Sequence, residues 1–434
     1  MSVDEQSGPS GMPVMAATRL ADLTNLRQDL HRHPELRFSE HRTSQLLADR
    51  LREAGFQVRT GFAGTAVLGT WLSGRPGRHV LLRADMDALP TADLTGTPYA
   101  SQNDGVCHAC GHDVHCAVVL GAALLLQDAG LAAGGFSVLF QPAEEVPFGE
   151  LSGAEAVLGS GALDELGEEV GEITAVLGLH CWPLLPAGTV GVDPDIAMAA
   201  KLAFRIGLVG EGAHAATPYL GRDALLAAAQ LTLTLHTLIG RQTGASDRAA
   251  LNVGTLRAGS SQSIVPSAAE LTGTVRSVDE QVAQRLRSAI ERAGAGIGAA
   301  LGVEAEVNWK NQMPAVHNEP RLVRLAMREL GGAPYVERVI SLPDPPMTTD
   351  DFALYARRWP AMYLKLGVAA SGAEAWPSLH DGRFDVDEAC IATGSHALAT
   401  LATAALTGGL GDRPAEPPDG RSGHPESATP EEAR

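Results

Sequence analysis

The chain has 434 residues, of which 45% are hydrophobic, and it carries a formal net charge of −18 at pH 7. This length and this apolar fraction are sufficient for a large core and indicate two domains. The excess of acidic residues argues against proteins that bind nucleic acids or anionic membrane surfaces through basic patches.

Residues 1–17 lack the basic and apolar regions of a secretory signal peptide and are predicted to be flexible. No apolar run in the sequence reaches the ~20 residues that a membrane-spanning helix needs. The five cysteines are an odd number in a long chain, which argues against a disulfide framework. We therefore expect a cytoplasmic protein.

The chain before residue 198 alternates helical and strand-like segments. Helices are predicted over residues 20–30, 39–54 and 113–128, and strands over residues 65–72, 79–83, 136–140 and 173–177. Buried strands that alternate with helices indicate an α/β catalytic domain, with a mostly parallel central sheet flanked by helices. Functional side chains of such a sheet are expected at the ends of its strands.

The pattern changes at about residue 198. Strands are predicted over residues 202–206, 251–256, 270–278 and 303–309, and helices over residues 223–238 and 280–293, the second ending at Gly294. The order strand–helix–strand–strand–helix–strand is that of a split βαβ, ferredoxin-like unit. We therefore predict an inserted α+β domain over residues 198–312.

The first pattern returns after the insert, with predicted helices over residues 319–330 and 387–407 and a strand over residues 361–366. The catalytic domain is thus predicted to be discontinuous, comprising residues 18–197 and 313–408. Residues 409–434 are rich in Pro, Gly, Glu and Ser and have almost no large apolar side chain. Such a segment cannot bury enough surface to fold, so it is predicted to be flexible.

Residues 107–115, CHACGHDVH, concentrate metal-binding side chains at the start of a predicted helix. The spacing of Cys110 and His112 lets both side chains converge on one ion, and a helix N-terminus favours a thiolate. A c-type haem site would need His directly after the second Cys, where this chain has Gly111. A redox pair of Cys107 and Cys110 remains an alternative, although it assigns no role to the other polar residues at strand ends.

Two adjacent carboxylates, Glu144 and Glu145, follow the apolar run at residues 136–140. Adjacent carboxylates repel each other unless a cation or a proton lies between them. The pair therefore suits one metal ligand and one general base in a metal-dependent hydrolase. The simpler alternative is a solvated acidic loop.

Further polar residues follow other predicted strands. His180 comes after the run at residues 173–177, and His380 lies in a similar position near the C-terminus. Taken alone, such a histidine is more often structural than a metal ligand. Asp85 and Asp87 end another buried strand, where they could orient a ligand imidazole or only cap the loop.

Seven motifs occur in order between residues 20 and 405: HRHPEL, RADMDALP, HACGHDVH, FQPAEE, GLH, GAHAATP and LHDGRFDVDE. Together they make the chain resemble the metallo-amidohydrolases of the aminoacylase/carboxypeptidase superfamily, in particular the hippurate hydrolases, N-acyl-amino-acid amidohydrolases and auxin-conjugate hydrolases. The resemblance implies hydrolysis of the amide bond of N-acyl amino acids. Dipeptidase or carboxypeptidase activity at the same site is the alternative.

The resemblance also implies roles for single residues. The implied ligands of two divalent ions, zinc or manganese with cobalt and nickel as alternatives, are Cys110, His112, Glu145, His180 and His380. The other implied site residues are the general base Glu144, the orienting acid Asp87, the oxyanion-stabilising His214 and the substrate-binding Asn252 and Arg276. In relatives the histidine that matches His214 often comes from a partner subunit. The resemblance therefore implies that the inserted domain forms a lid and that the protein is a homodimer joined through this domain.

The chain departs from the family pattern at three places. Cys107 stands where a larger or basic residue is expected, Tyr219 stands where many relatives carry His, and Met347-Thr348-Thr349-Asp350-Asp351-Phe352 replaces a Gly-Gly-Glu-Asp-Phe run. None of these departures removes an implied ligand, although the last two bear on the substrate pocket. A metal-free binding protein with a degenerate site is therefore the weaker hypothesis from another functional class.

Overall fold

The structure is a computed structural model that describes residues 12–373 and 375–410. The helices in these ranges are α1 Ala17–Arg32, α2 His41–Glu53, α3 His112–Ala129, α4 Gly153–Gly159, α5 Ala162–Val170, α6 Ala224–Gln242, α7 Glu280–Leu301, α8 Pro320–Glu329, α9 Phe352–Arg358 and α10 Ala389–Leu406. The strands are β1 Gln57–Phe62, β2 Ala66–Leu72, β3 His79–Asp85, β4 Gly135–Gln141, β5 Ile173–Pro186, β6 Thr189–Val192, β7 Ile196–Met198, β8 Ala200–Val209, β9 Ala213–His214, β10 Ala249–Ala258, β11 Ile264–Val265, β12 Ala268–Ser277, β13 Glu304–Met313, β14 Val316–His317, β15 Arg338–Ser341 and β16 Ala361–Ala369.

An eight-stranded sheet in the order β1-β2-β4-β3-β5-β16-β6-β15 forms the larger part of the molecule. Its central strands β4, β3, β5 and β16 are parallel, and β1 and β2 add antiparallel pairs at one edge. Strands β3, β4 and β16 are buried along their whole length, as expected for a parallel sheet covered on both faces. The predicted α/β fold with a mostly parallel central sheet is therefore confirmed.

Helices α3 and α10 pack against each other and belong to the main hydrophobic core. Both helices are rich in Ala, Val and Leu, and the small side chains allow close helix contact. Helix α10 is long enough and apolar enough to cross a membrane, but 78% of it is buried inside the protein. Its apolar character is therefore accounted for by its position in the core.

A second sheet, in the antiparallel order β10-β12-β8-β13, takes all its strands from residues 200–313. Helices α6 and α7 pack together and bury a separate apolar cluster that includes Phe204, Leu231 and Leu286. The strand order is that of a split βαβ unit, so the predicted α+β region is confirmed. The boundaries of the two predicted domains stay predictions.

Several local predictions were wrong. Helix α7 does not stop at Gly294 but continues to Leu301 and ends at Gly302, which has a φ of +66°. At Gly294 an added Cβ would already touch Val307 at 3.4 Å, so this glycine lets the helix pack closely on the sheet. Helix α2, predicted over residues 39–54, begins at His41 and has Glu40 as its N-cap residue.

Strand β5 is longer than predicted because its parallel pairing with β16 continues to Pro186. His180 therefore lies within β5 instead of after it. Met12 and Met15 are buried in the core, at 2% and 3% exposure, so the predicted flexible N-terminal segment does not extend to residue 17. The predictions for residues 1–11 and 411–434 lie outside the described residues.

Candidate metal centre

Cys110 and His112 stand on either side of the residue that caps α3. Gly111 adopts a left-handed conformation with φ of +82°, and an added Cβ would lie 2.8 Å from the Sγ atom of Cys181. Only glycine fits both constraints without strain. The turn it makes brings the Cys110 thiol and the His112 ring, both buried, to the same point beside the sheet.

His180 reaches the same point from within β5. Its Nε2 atom lies 3.5 Å from the Sγ atom of Cys110, and its Nδ1 atom lies 2.8 Å from the carbonyl oxygen of Cys181. A hydrogen bond from Nδ1 to this carbonyl leaves Nε2 free to bind an ion. Burial, helped by the charge of His115, lowers the pKa of His180 to about 4. This ring is therefore neutral, which is the form that binds metals.

Glu145 and His380 complete a second group around Cys110. The Oε1 atom of Glu145 lies 2.8 Å from the Nε2 atom of His380. Cys110, Glu145 and His380 offer ligand atoms within 4.8 Å of one another, and so do Cys110, His112 and His180. We call these five residues the metal centre. Two overlapping groups that share Cys110 bring together all five predicted ligands.

The donor set of the metal centre fits divalent cations. The Nε2 atom of His112 is buried and, within residues 12–373 and 375–410, has no hydrogen-bond partner. Asp85 and Asp87 outweigh burial and raise the pKa of His112 to about 10, so an ion there would replace a bound proton. Imidazole nitrogen, thiolate sulfur and carboxylate oxygen are ordinary ligands of zinc and neighbouring transition metals.

Asp87 fixes the parts of the site relative to one another. Its two carboxylate oxygens accept hydrogen bonds from the backbone nitrogens of Glu144 and Glu145, at 3.0 and 2.9 Å. Its Oδ1 atom also lies 3.3 Å from the Nδ1 atom of His112. Because one buried carboxylate contacts both the acidic loop and the imidazole, Asp87 orients the site without itself belonging to the metal centre.

A buried hydrogen-bond network centred on Arg83 supports the site. The guanidinium donates hydrogen bonds to Asp85 at 2.7 Å, to Asp351 at 2.6 Å and to Gln141 at 3.0 Å. Asp85 in turn lies 2.6 Å from the Nδ1 atom of His115, whose Nε2 atom accepts from the backbone nitrogen of Cys181. Both ring nitrogens of His115 are thus used, so it supports the site and does not serve as a ligand.

Glu144 lies next to the metal centre, and its environment disfavours its charged form. Burial raises the pKa of its carboxyl well above the ordinary value, and the carboxylates of Glu145, Asp350 and Asp351 add to the effect. A nearby cation would oppose all of these contributions. A carboxyl group whose proton affinity is raised is suited to accept a proton during a reaction.

One cavity of about 360 Å³ joins this site to the second sheet. Cys110, Glu144, Glu145, His180 and His380 line one wall, and Lys201, Arg276, Asn311 and Met313 line the opposite wall. A small molecule held between the two sheets would therefore contact both the metal centre and Arg276.

The family model described as Peptidase family M20/M25/M40 matches residues 81–404. The chain belongs to this family. It is 34% identical to an N-acetyl-L-cysteine deacetylase of Bacillus subtilis over 387 residues, covering 89% of this chain and 88% of the relative. It is 31% identical to thermostable carboxypeptidase 2 of Saccharolobus solfataricus over 383 residues, covering 88% of this chain and 94% of the relative.

This chain has the same fold as a solved structure of a dinuclear metal-binding peptidase of the M20 family from Bacillus subtilis. The TM-score is 0.75 and the sequence identity is 30%. The match covers 90% of this chain and 99% of the solved one. The sequence prediction of a metal-dependent hydrolase of the aminoacylase/carboxypeptidase type is therefore confirmed.

Two of the predicted site residues, His214 and Asn252, lie away from the main cavity. His214 is exposed on β9, where it pairs with Ile264 of β11, and its Nδ1 atom accepts from the backbone nitrogen of Ala216 at 3.0 Å. Asn252 lines a separate cavity of about 210 Å³ on the second sheet. Arg276 does line the main cavity, and its Nη1 atom donates to the carbonyl oxygen of Met347 at 2.7 Å.

The sequence did not predict roles for several residues that line or support the site. Asp350 and Asp351 were noticed only as a departure from the family motif, although both line the cavity. Arg83 was quoted within a motif and given no role. Lys201 lies just before the strand predicted over residues 202–206 and has no predicted role. The apolar run that ends in Arg83 is a usable signal, because a charged residue inside a buried strand needs a partner.

Proposed function

We propose that this enzyme hydrolyses the amide bond of N-acyl amino acids and releases a carboxylic acid and an amino acid. One observation supports the proposal above all others: four residues of the metal centre line a single cavity together with Glu144 and Arg276, namely Cys110, Glu145, His180 and His380. Its volume of about 360 Å³ suits a small molecule. The similarity to an N-acetyl-L-cysteine deacetylase supports the same class of substrate.

The metal centre would hold two divalent ions, and Cys110 belongs to both groups of ligand atoms. When bound, such ions polarise an amide carbonyl and lower the pKa of the attacking water. We propose zinc or manganese, with cobalt and nickel as alternatives. The thiolate of Cys110 favours zinc, since soft sulfur ligands select it over manganese.

Glu144 acts as the general base in this proposal. Its carboxylate accepts a proton from the attacking water and then transfers it to the amine that leaves. Asp87 keeps Glu144 in place by accepting the hydrogen bond from its backbone nitrogen. Arg276 binds the carboxylate of the amino-acid half, because a guanidinium can donate two parallel hydrogen bonds to a carboxylate.

His214 completes the proposed site from a second copy of the chain. It is exposed in this chain, and the neighbouring large apolar residues are exposed as well: Tyr219 by 80%, Leu220 by 62% and Ile264 by 52%. An exposed apolar patch of this kind marks a surface that another protein covers. We therefore propose a homodimer formed through residues 198–312, in which His214 of one protomer stabilises the oxyanion in the other.

The proposed location is the cytoplasm. All five cysteines are free and buried. Burial raises the pKa of Cys107 to about 11, which disfavours the thiolate that a redox pair with Cys110 would need. The absence of disulfides among cysteines that are all described supports a reducing compartment.

Carboxypeptidase activity is the second candidate. The similarity to thermostable carboxypeptidase 2 favours it, and the C-terminal carboxylate of a peptide could bind Arg276 in the same way. Assays of zinc- and manganese-loaded enzyme on N-acetyl and N-benzoyl amino acids, with dipeptides in parallel, distinguish the two candidates. Hydrolysis of the dipeptides alone would contradict the main proposal.

A further inference from the structure

Two cationic side chains stand side by side on the cavity wall opposite the metal centre. Lys201 near the start of β8 is the direct partner of Arg276 near the end of β12, and both line the cavity. Directly opposed residues in an antiparallel pair share one face, with Cβ atoms roughly 4.5–5.5 Å apart. We call Lys201 and Arg276 the cation pair.

Among the described residues, neither member of the cation pair forms an ion pair with a carboxylate, and Glu145 and Glu144 attract Arg276 only from beyond ion-pair distance. Arg276 donates to the carbonyl oxygen of Met347, which is neutral. Within residues 12–373 and 375–410, the side-chain amine of Lys201 forms no hydrogen bond or ion pair. Lys365, by contrast, is paired with Asp193 at 2.6 Å. Like charges that face each other across a sheet are destabilising, so the cation pair calls for anionic groups from outside the chain.

The space around Lys201 leaves room for an extended anionic side chain. Lys201 lies where the main cavity adjoins the cavity of about 210 Å³, because both are lined by Lys201, Val146 and Asn311. The smaller cavity adds the polar side chains of Asn252 and Thr274. A substrate anchored on Arg276 can therefore extend a polar group past Lys201 without entering an apolar core.

We propose, on the basis of the proposed function, that the substrate is an N-acyl derivative of an acidic amino acid, with its α-carboxylate on Arg276 and its side-chain carboxylate on Lys201. The two carboxylates of aspartate or glutamate are separated only by the α-carbon and one or two methylene groups. This short separation matches two cations that occupy adjacent positions on one sheet. A second carboxylate on the acyl half would instead lie on the far side of the amide, towards the metal centre.

Kinetic selectivity tests this inference on the zinc- or manganese-loaded enzyme. The quantity to measure is the ratio of kcat/KM for N-acetyl-L-glutamate to kcat/KM for N-acetyl-L-glutamine. We expect the ratio to exceed one in the natural enzyme and to fall roughly 10- to 100-fold in Lys201→Met, the effect of losing one charge-assisted hydrogen bond. Lys201→Arg should restore most of the ratio, because it restores the charge.

Lys310→Met is the matched control. Lys310 is exposed on β13 of the same sheet and does not line the cavity, so its loss should leave the ratio unchanged. An unchanged ratio in Lys201→Met would overturn the inference. The inference would also be overturned if Lys201→Met lowered kcat/KM only for N-succinyl-L-leucine, which carries its second carboxylate on the acyl half. That result would place the second carboxylate of the substrate on the acyl half.

Calorimetry separates this inference from the proposed function. Titration of the metal-loaded protein with L-glutamate and with L-glutamine, the expected products, measures the same preference without turnover. Tighter binding of glutamate that depends on Lys201, in a protein that hydrolyses no N-acyl amino acid, would overturn the proposed function and the proposed substrate, and would support only the placement of a side-chain carboxylate on Lys201. Hydrolysis of N-acyl amino acids with equal binding of both products would do the reverse.

Discussion

The two walls of the cavity are built in different ways. The wall that carries the metal centre is fixed by buried hydrogen bonds, with Asp87 holding the acidic loop and Arg83 tying β3 to Asp351. The opposite wall, from the second sheet, presents a Lys201 side chain that has no partner among the described residues, and His214 is exposed outside the cavity in the same region of the chain. The first wall is held together within one chain, whereas we propose that the second wall acquires its partner from the substrate and that another protomer supplies His214.

This difference has a physical basis. Catalysis by bound ions needs ligands held within a fraction of an ångström, and buried charge networks supply that rigidity. Binding and release of a substrate need groups that are unsatisfied when the site is empty. Changes on the two walls should therefore have different consequences: loss of chemistry or folding on the first, and loss of selectivity or assembly on the second.

Metal removal should have the largest effect on the first wall. Dialysis against a chelator should abolish hydrolysis, because without ions the ligands of the metal centre cannot activate a water. Zinc or manganese should restore activity, and metal analysis of the restored protein should approach two ions per chain. Turnover that is insensitive to chelators would contradict the proposed chemistry and favour a thiol mechanism.

Glu144→Gln should lower kcat by roughly 10²–10⁴, because the variant keeps the shape of the site but cannot accept a proton. Metal content should stay that of the natural enzyme, since the predicted ligand is the neighbouring Glu145. Glu306→Gln, at an exposed position on β13, is the control and should be fully active. A Glu144→Gln enzyme with normal kcat would rule out the assigned general base.

Arg83→Ala tests the rigidity of the first wall through stability. The substitution leaves Asp85 and Asp351 buried without their shared cation, which costs about 3–5 kcal/mol in comparable cases. The free energy of unfolding, measured in denaturant, should fall by that amount. Arg59→Ala breaks an exposed ion pair with Glu169 and should cost at most about 1 kcal/mol. Equal costs for the two variants would show that the network does not stabilise the fold.

The sequence was most informative where the chemistry is local. Cys110 and His112 are two residues apart, and Glu144 and Glu145 are adjacent, so their types and spacing already indicate a metal-dependent hydrolase. His180 was expected just after a buried strand and lies within it, because the strand is longer than predicted. Short-range patterns in loops beside parallel strands are enough to predict such a cluster.

The features that the sequence did not reveal depend on long-range register. Arg83 and Asp351 are 268 positions apart, and only the folded sheet brings them together. The cation pair requires β8 and β12 to align so that Lys201 faces Arg276, which a shift of one residue would undo. The prediction that α7 ends at Gly294 was wrong for a related reason. Tertiary packing of α7 on β13 outweighs the local tendency of glycine to end a helix.

His214→Ala tests the part of the site that we propose comes from another protomer. Loss of one oxyanion donor should lower kcat by roughly 10²–10³. Because the side chain is exposed, metal content and the free energy of unfolding should not change. Light scattering should show a dimer for both the variant and the natural enzyme. Full activity in the variant would remove His214 from the mechanism.

Mixing two inactive variants decides which protomer supplies His214. If it acts across the dimer, a mixed dimer of Glu144→Gln and His214→Ala chains has one site with an intact Glu144 and a His214 from the partner. Random exchange of equal amounts makes about half of the dimers mixed, so roughly one quarter of all sites should recover. If His214 served its own chain, every site in the mixture would lack one of the two groups and no activity would return. Recovery of a quarter therefore requires both the dimer and the transfer of His214 to the neighbouring site, whereas an inactive mixture after proven exchange would confine His214 to its own chain.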